Sequence, residues 1–141
     1  MSAPEWADRY VGMRYEAGAR GPEAFDCWGL VKEVLRTEFG VEGFEEPTED
    51  PLPGNRASAF EDALDGSLWR EVPIAAARPG DVLLLCLMGA PVHCGIVTQA
   101  GTMLHTVEGR NAVLQRYTLG VWRHRVKGCY RHRSLLGGTH A

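Results

Sequence analysis

Acidic side chains all but vanish from the second part of this 141-residue sequence. Residues 82–141 hold one, Glu108, against seven Lys or Arg, whereas residues 1–81 hold seventeen against eight. The two parts carry +6 and −9, which sum to the net charge of −3. Such asymmetry can mark a nucleic-acid surface. The bases form no continuous block, however. In Arg123-His124-Arg125-Val126-Lys127 and Arg131-His132-Arg133 they are interleaved as on the solvated face of a strand. That favours a basic strand edge, resisting aggregation or facing an anionic partner, over nucleic acid.

Cysteine is scarce as well. Cys27, Cys86, Cys94 and Cys129 show neither C-x-x-C spacing nor a small-scaffold framework, so reduced thiols are expected. Zinc is disfavoured because His93 and Cys94 are adjacent, and on a strand they point to opposite faces. The other candidates lack ligand spacing, so no metal and no cofactor is expected. Gly18 and Gly21 precede no P-loop lysine, which removes the usual phosphate cradle. The opening Met1-Ser2-Ala3-Pro4-Glu5-Trp6 has no basic or apolar signal region, so synthesis in the cytoplasm without a Sec signal is expected. No apolar run approaches the roughly 20 residues that span a bilayer, so no membrane insertion is expected. A substrate outside the membrane would require delivery by something else.

What is present fits one domain, residues 1–141. A chain of this size buries roughly 68% of its unfolded surface and needs no staple. Its focus is Phe25-Asp26-Cys27-Trp28-Gly29-Leu30-Val31. Asp26 is a good N-cap. Leu30, Val31, Val34 and Leu35 follow Cys27 at helical period, and Gly40 supplies a left-handed stop. Cys27 is therefore expected at the N-terminal tip of an amphipathic helix, where the dipole favours the nucleophilic thiolate.

Before it, Ser2-Ala3-Pro4-Glu5 reads as a capping box for a short helix carrying Trp6, Ala7, Tyr10 and Val11. After it, 42–55 is an acidic, proline-bearing loop, and Ser58 caps a helix with Phe60, Ala63 and Leu64. From Pro79-Gly80-Asp81 onward the character turns to strands: 82–87, buried on both faces, then 92–98, 102–107, 112–117 and 126–132. Helices followed by an antiparallel sheet read as α+β. Residues 137–141 are expected to fray.

A thiolate needs a proton acceptor, and the acceptor an orienting partner. His93 and His105 on successive strands supply both, as a Cys–His–His triad. Gly95, two residues from His93, is expected to let a helix approach the sheet. His124, His132 and His140 receive no role. For His93 and His105 to share a face, paired residue numbers must sum to an even value. That predicts a three-residue loop Gln99-Ala100-Gly101, Thr98 opposite Thr102, positive φ at Gly101, and both rings on the helix-facing side. Cys86 and Cys94, in apolar strands, are expected to be less reactive than Cys27.

The order Tyr15, Asp26-Cys27-x-Gly29-Leu30-Val31, Pro79-Gly80-Asp81-Val82, His93-x-Gly95-Ile96-Val97, Leu104-His105 closely resembles the NlpC/P60 cysteine peptidases, over about residues 10–130. Arg20 to Gly29 looks most like the phage-tail subgroup, the tail assembly protein K type. The resemblance implies a papain-like fold and hydrolysis of peptidoglycan stem peptides, commonly between D-γ-glutamyl and a diamino acid. It implies Cys27 as nucleophile, His93 as base and His105 as its orienting partner. It places Tyr15 near the oxyanion and substrate, and gives Asp26 the substrate's free amine. Trp28 stands where the family usually has a small serine that contacts substrate, so a reshaped pocket is expected. Phage tail proteins are the implied partners. A structural tail component with dispensable hydrolysis, and a secreted antibacterial amidase, are the competing readings.

Overall fold

The computed structural model describes residues 4–19, 21–41, 64, 68–107 and 109–136. Helix α1 (Glu5–Asp8) leads to strand β1 (Arg14–Tyr15), which pairs in parallel with β2 (Ala24–Phe25). Helix α2 (Cys27–Phe39) follows at once. Strands β3 (Trp69–Val72), β4 (Val82–Leu87), β5 (Ala90–Gln99), β6 (Thr102–His105), β7 (Val113–Arg116) and β8 (Val126–His132) form one antiparallel sheet, ordered β3-β8-β4-β5-β6-β7. Helical turn α3 (Gly120–Arg123) lies between β7 and β8. Helices ahead of an antiparallel sheet make the fold α+β.

Helix α2 forms as its sequence dictates. The Asp26 carboxylate accepts from the Gly29 N–H at 2.7 Å, and Gly40 stops the helix at φ 67°. Its stripe, Leu30, Val31, Val34 and Leu35, is fully buried, worth roughly 1.5–3 kcal/mol per side chain. That stripe packs on one sheet face, against Val82, Leu84, Cys94, Ile96 and Leu104. The opposite face carries a second core of Leu83, Leu85, Val97, Met103 and Cys129. The first four residues of β4 are thus buried on both faces, as their unbroken apolar run requires.

Helix α1 is tied to α2 through Glu38, which accepts from Arg9 at 2.7 Å and from the Tyr10 hydroxyl at 2.8 Å. Its N-cap is Pro4, with no side-chain cap, and Ser2 of the expected capping box lies outside the described residues; Val11 is 45% exposed and off the buried face. The expected acidic loop and the tail lie outside the described residues, as does the 58–66 helix apart from Leu64, which is buried in the core.

Two further differences concern the sheet. The expected basic edge strand is interior, because β3, missed in the sequence, pairs outside β8. Arg131 points inward, where its guanidinium donates to both Asp81 carboxylate oxygens, at 2.7 and 2.8 Å. Arg123 closes α3 and Arg125 follows it, so the regular spacing of bases there belongs to a turn and not to a strand.

Candidate active site

Three short pairings bring the site together. Gly12 and Met13 exchange backbone hydrogen bonds with Ala112 at 2.8 and 2.9 Å, anchoring the N-terminal segment beside the end of β7. The β1–β2 pair sets Tyr15 opposite Phe25, two residues before Cys27. Asp26 N–H donates to Ala19 O at 2.9 Å, folding the 16–19 loop against the helix start. Cys27 is then the first residue of α2, half-buried.

The sheet opens where this tip arrives. Val97 N–H donates to Asp81 O at 2.8 Å, so alternation directs the N–H groups of Gly95 and His93 to β4 and those of Ile96 and Cys94 to β6. The β5–β6 register, Ile96 with Leu104 and Val97 with Met103, would place Thr106 opposite Cys94, but β6 ends at His105. The Cys94 N–H therefore lies beyond the paired part of β6, and it interacts with the Cys27 sulfur. The Cys94 thiol holds the Cys27 thiol well below the ordinary cysteine range, assisted by His93 and by the Cys94 N–H, against the opposing effect of burial. Cys94 had no expected role; only its place beside His93 in the chain hinted at one.

His93 and His105 are 2% and 3% exposed, with His93 Nε2 2.8 Å from His105 Nδ1. Burial, then the nearby His93 and Arg110, push the His105 pKa down to about 3, so this ring stays neutral. When His93 is protonated, its Nε2–H donates to His105 Nδ1, and His105 keeps its own proton on Nε2. The His93 nitrogen left for the sulfur is Nδ1. The indole of Trp122 packs against both rings.

The hairpin that aligns the two rings differs from expectation in one step. β5 advances from Val97 to Gln99 while β6 advances only from Met103 to Thr102, so a bulge at Thr98 absorbs the odd residue. Gln99 pairs with Thr102, and the connection is the two-residue Ala100-Gly101 with Gly101 at φ 86°, not a three-residue loop closed by Thr98 and Thr102. The even register survives, and the rings share a face. That face is the one bearing Leu85, Met103 and Trp122, opposite the α2 stripe. Cys27 nonetheless interacts with His93, although the α2 stripe packs on the other face. Gly95 makes room for Met103 and His105 rather than for the helix: a Cβ there would lie 2.8 Å from the Met103 sulfur and 3.2 Å from the His105 Cβ.

The remaining site candidates divide. Asp26 caps α2, and Tyr15 is half-buried on β1 near the helix tip. Trp28 is 1% exposed and part of the α2-facing core, and its indole packs against Trp69 with centroids 6.4 Å apart. Cys86 is half-buried rather than enclosed; Cys94 is buried, and burial beside Asp81 pushes Cys129 to about 12. His132 is buried, and its Nδ1 accepts from Ser134 N–H at 3.1 Å, capping the turn Arg133–Leu135. Among the described residues, no cluster of three His, Cys, Asp or Glu could hold a metal, and no helix is long and apolar enough to cross a membrane.

Comparison with known proteins bears on the family. The model of the NlpC/P60 family matches residues 12–131. The tail tip assembly protein K of Escherichia phage lambda is 32% identical over 125 residues, 88% of this chain and 59% of that protein. A probable endopeptidase p60 of Listeria grayi is 28% identical over 98 residues, 70% of this chain but 16% of its own length. This chain therefore spans about three-fifths of the lambda protein and a small part of the Listeria one. In fold, NlpC2 from Trichomonas vaginalis superposes with a TM-score of 0.65 over 90% of this chain and 44% of that one, at 17% identity. Helix-tip cysteine, histidine-bearing strands and family match agree: the chain belongs to the NlpC/P60 family.

Proposed function

We propose that the protein is a cysteine peptidase that hydrolyses peptidoglycan stem peptides, at the amide between D-γ-glutamyl and a diamino acid. The observation that carries this reading is the buried 2.8 Å His93–His105 hydrogen bond beside a helix-tip thiol held well below its ordinary range. The Cys27 thiolate attacks the scissile carbonyl carbon. Backbone N–H groups at the start of α2, with the Tyr15 hydroxyl, hold the oxyanion; such donors are worth ~3–4 kcal/mol each. His93 Nδ1–H protonates the leaving amine as the C–N bond breaks. The same nitrogen then takes a proton from water, whose oxygen attacks the thioester carbonyl; the C–S bond breaks, releasing the acid and restoring the Cys27 thiolate beside protonated His93. His105, neutral throughout, keeps the His93 ring oriented, and Asp26 receives the substrate's free amine.

The likeness to a tail tip assembly protein favours a setting in which a phage tail brings the domain to the cell wall, with tail proteins as partners. The same likeness favours a second reading, an assembly component whose hydrolysis is dispensable. Incubation with defined muropeptides, with products identified by mass spectrometry, separates the two: cleavage lost in Cys27→Ala supports the peptidase, and intact substrate supports the assembly role.

A further inference from the structure

We propose that Trp122 is a positioning residue of this site, its indole covering the His93–His105 hydrogen bond against water while Arg125 lies over the ring. The proposal rests on the assignment of Cys27 and His93 as the reacting pair. The Trp122 centroid is 4.6 Å from that of His105, at 80° between planes, and 5.9 Å from that of His93, at 45°. The Arg125 guanidinium carbon is 4.8 Å from the indole centroid.

The turn that carries Trp122 is built to hold it there. Gly120 enters at φ 61°, a backbone conformation that side chains disfavour. Arg125 N–H donates to Trp122 O at 2.9 Å, and Cys86 N–H donates to Arg125 O at 2.7 Å, fixing the turn to the end of β4. Apart from Trp122, which also packs against the second core, α3 adds little to the interior. None of its residues is fully buried, Val121 is 61% exposed, and Leu119 just before it is 54% exposed. The turn thus holds one large aromatic between the second core and the two buried imidazoles, and leaves its apolar neighbours in solvent.

The physical effect is on competition by water. Water admitted to the pair would accept from His93 Nε2–H and donate to His105 Nδ1, weakening a hydrogen bond strengthened by its apolar surroundings. It would also relieve the burial that keeps His105 neutral. A protonated His105 cannot accept at Nδ1, and His93 then loses its orienting partner. The charged or titratable groups around the pair are Cys27 with Cys94, Arg110 beyond β6, and Arg125 across Trp122.

The test follows histidine side-chain nitrogens by NMR through a pH titration of the full chain, in wild type, Trp122→Ala and Trp122→Phe. Steady-state kinetics on muropeptides run alongside. In wild type His105 is expected to stay neutral down to about pH 5, and in Trp122→Ala to titrate between about pH 5 and 7, towards its ordinary range. With that change, kcat is expected to fall at least about tenfold, the scale of one buried hydrogen bond to a charged group, with KM within about threefold. Trp122→Phe, which keeps an aromatic cover, restores both readouts. Unchanged titration of His105 in a folded Trp122→Ala protein overturns the proposal; should that variant fail to fold, Trp122→Leu is read in the same way. The titration needs no substrate, so a wild-type protein that leaves muropeptides intact refutes the peptidase reading without deciding the fate of Trp122.

Discussion

Replacing His105 with alanine tests the relay at its most buried point. His93 is 2% exposed, and its Nε2–H has His105 Nδ1 as a partner at 2.8 Å. Without His105, the imidazolium formed during acyl transfer is left with an unsatisfied buried donor. A hydrogen bond to a charged group contributes about 1.5–3 kcal/mol, and each 1.36 kcal/mol is tenfold in rate. The expected loss in kcat/KM is therefore roughly 10- to 150-fold. The same loss makes the thiolate–imidazolium pair less favourable, so the Cys27 pKa must rise. Two assays report on this: muropeptide turnover, and the pH dependence of Cys27 alkylation by iodoacetamide. His105→Asn keeps an acceptor oxygen near the vacated Nδ1 position and should recover most of the loss. A His105→Ala protein with kcat/KM within about twofold of wild type and an unshifted alkylation profile would refute the relay.

Three other outcomes are expected. Arg131→Met strands the Asp81 carboxylate, which is 1% exposed, so unfolding in urea should show a loss of about 3–5 kcal/mol. Brief iodoacetamide treatment at neutral pH should label Cys27 first and half-buried Cys86 next, leaving Cys94 and Cys129 to last on peptide mapping; Cys129 labelled ahead of Cys27 would contradict the lowered Cys27 pKa. His105 has a folded pKa of about 3 against 6.5, so below 6.5 the unfolded chain takes up a proton that the folded chain refuses. Its contribution to stability is complete above 6.5 and is lost as pH falls towards 3, by ~1.4 kcal/mol per unit, a slope that His105→Asn should lack in acid denaturation.

The parts of this molecule legible in its sequence are those set by local chemistry. Asp26, the Leu30–Leu35 stripe and Gly40 define α2 through capping, periodicity and a left-handed stop, each acting within a few residues. The unbroken apolar run of β4 and the even register between His93 and His105 were likewise readable, because pleat and parity are local. What escaped depends on distant partners. β3 carries too few apolar residues to stand out, and its pairing with β8 turned an expected edge strand into an interior one. Arg131 looked like a solvated base until Asp81, fifty residues away, appeared beside it. Trp28 drew attention because the resembling family has a small serine there, and its burial against Trp69, forty-one residues away, could not be read locally. The bulge at Thr98 preserved the predicted parity by another route, since one extra residue in a strand does the same work as one in the loop.

Everything in the proposed reaction turns on Cys27 as the nucleophile of an amide hydrolysis. The most direct measurement incubates wild type and Cys27→Ala with a defined stem-peptide muropeptide and identifies the products by mass spectrometry. Wild type is expected to yield two fragments split between the D-γ-glutamyl residue and the diamino acid, and Cys27→Ala, with an unchanged melting temperature, none. Intact muropeptide with the wild type, or equal cleavage by the Cys27→Ala protein, would contradict it.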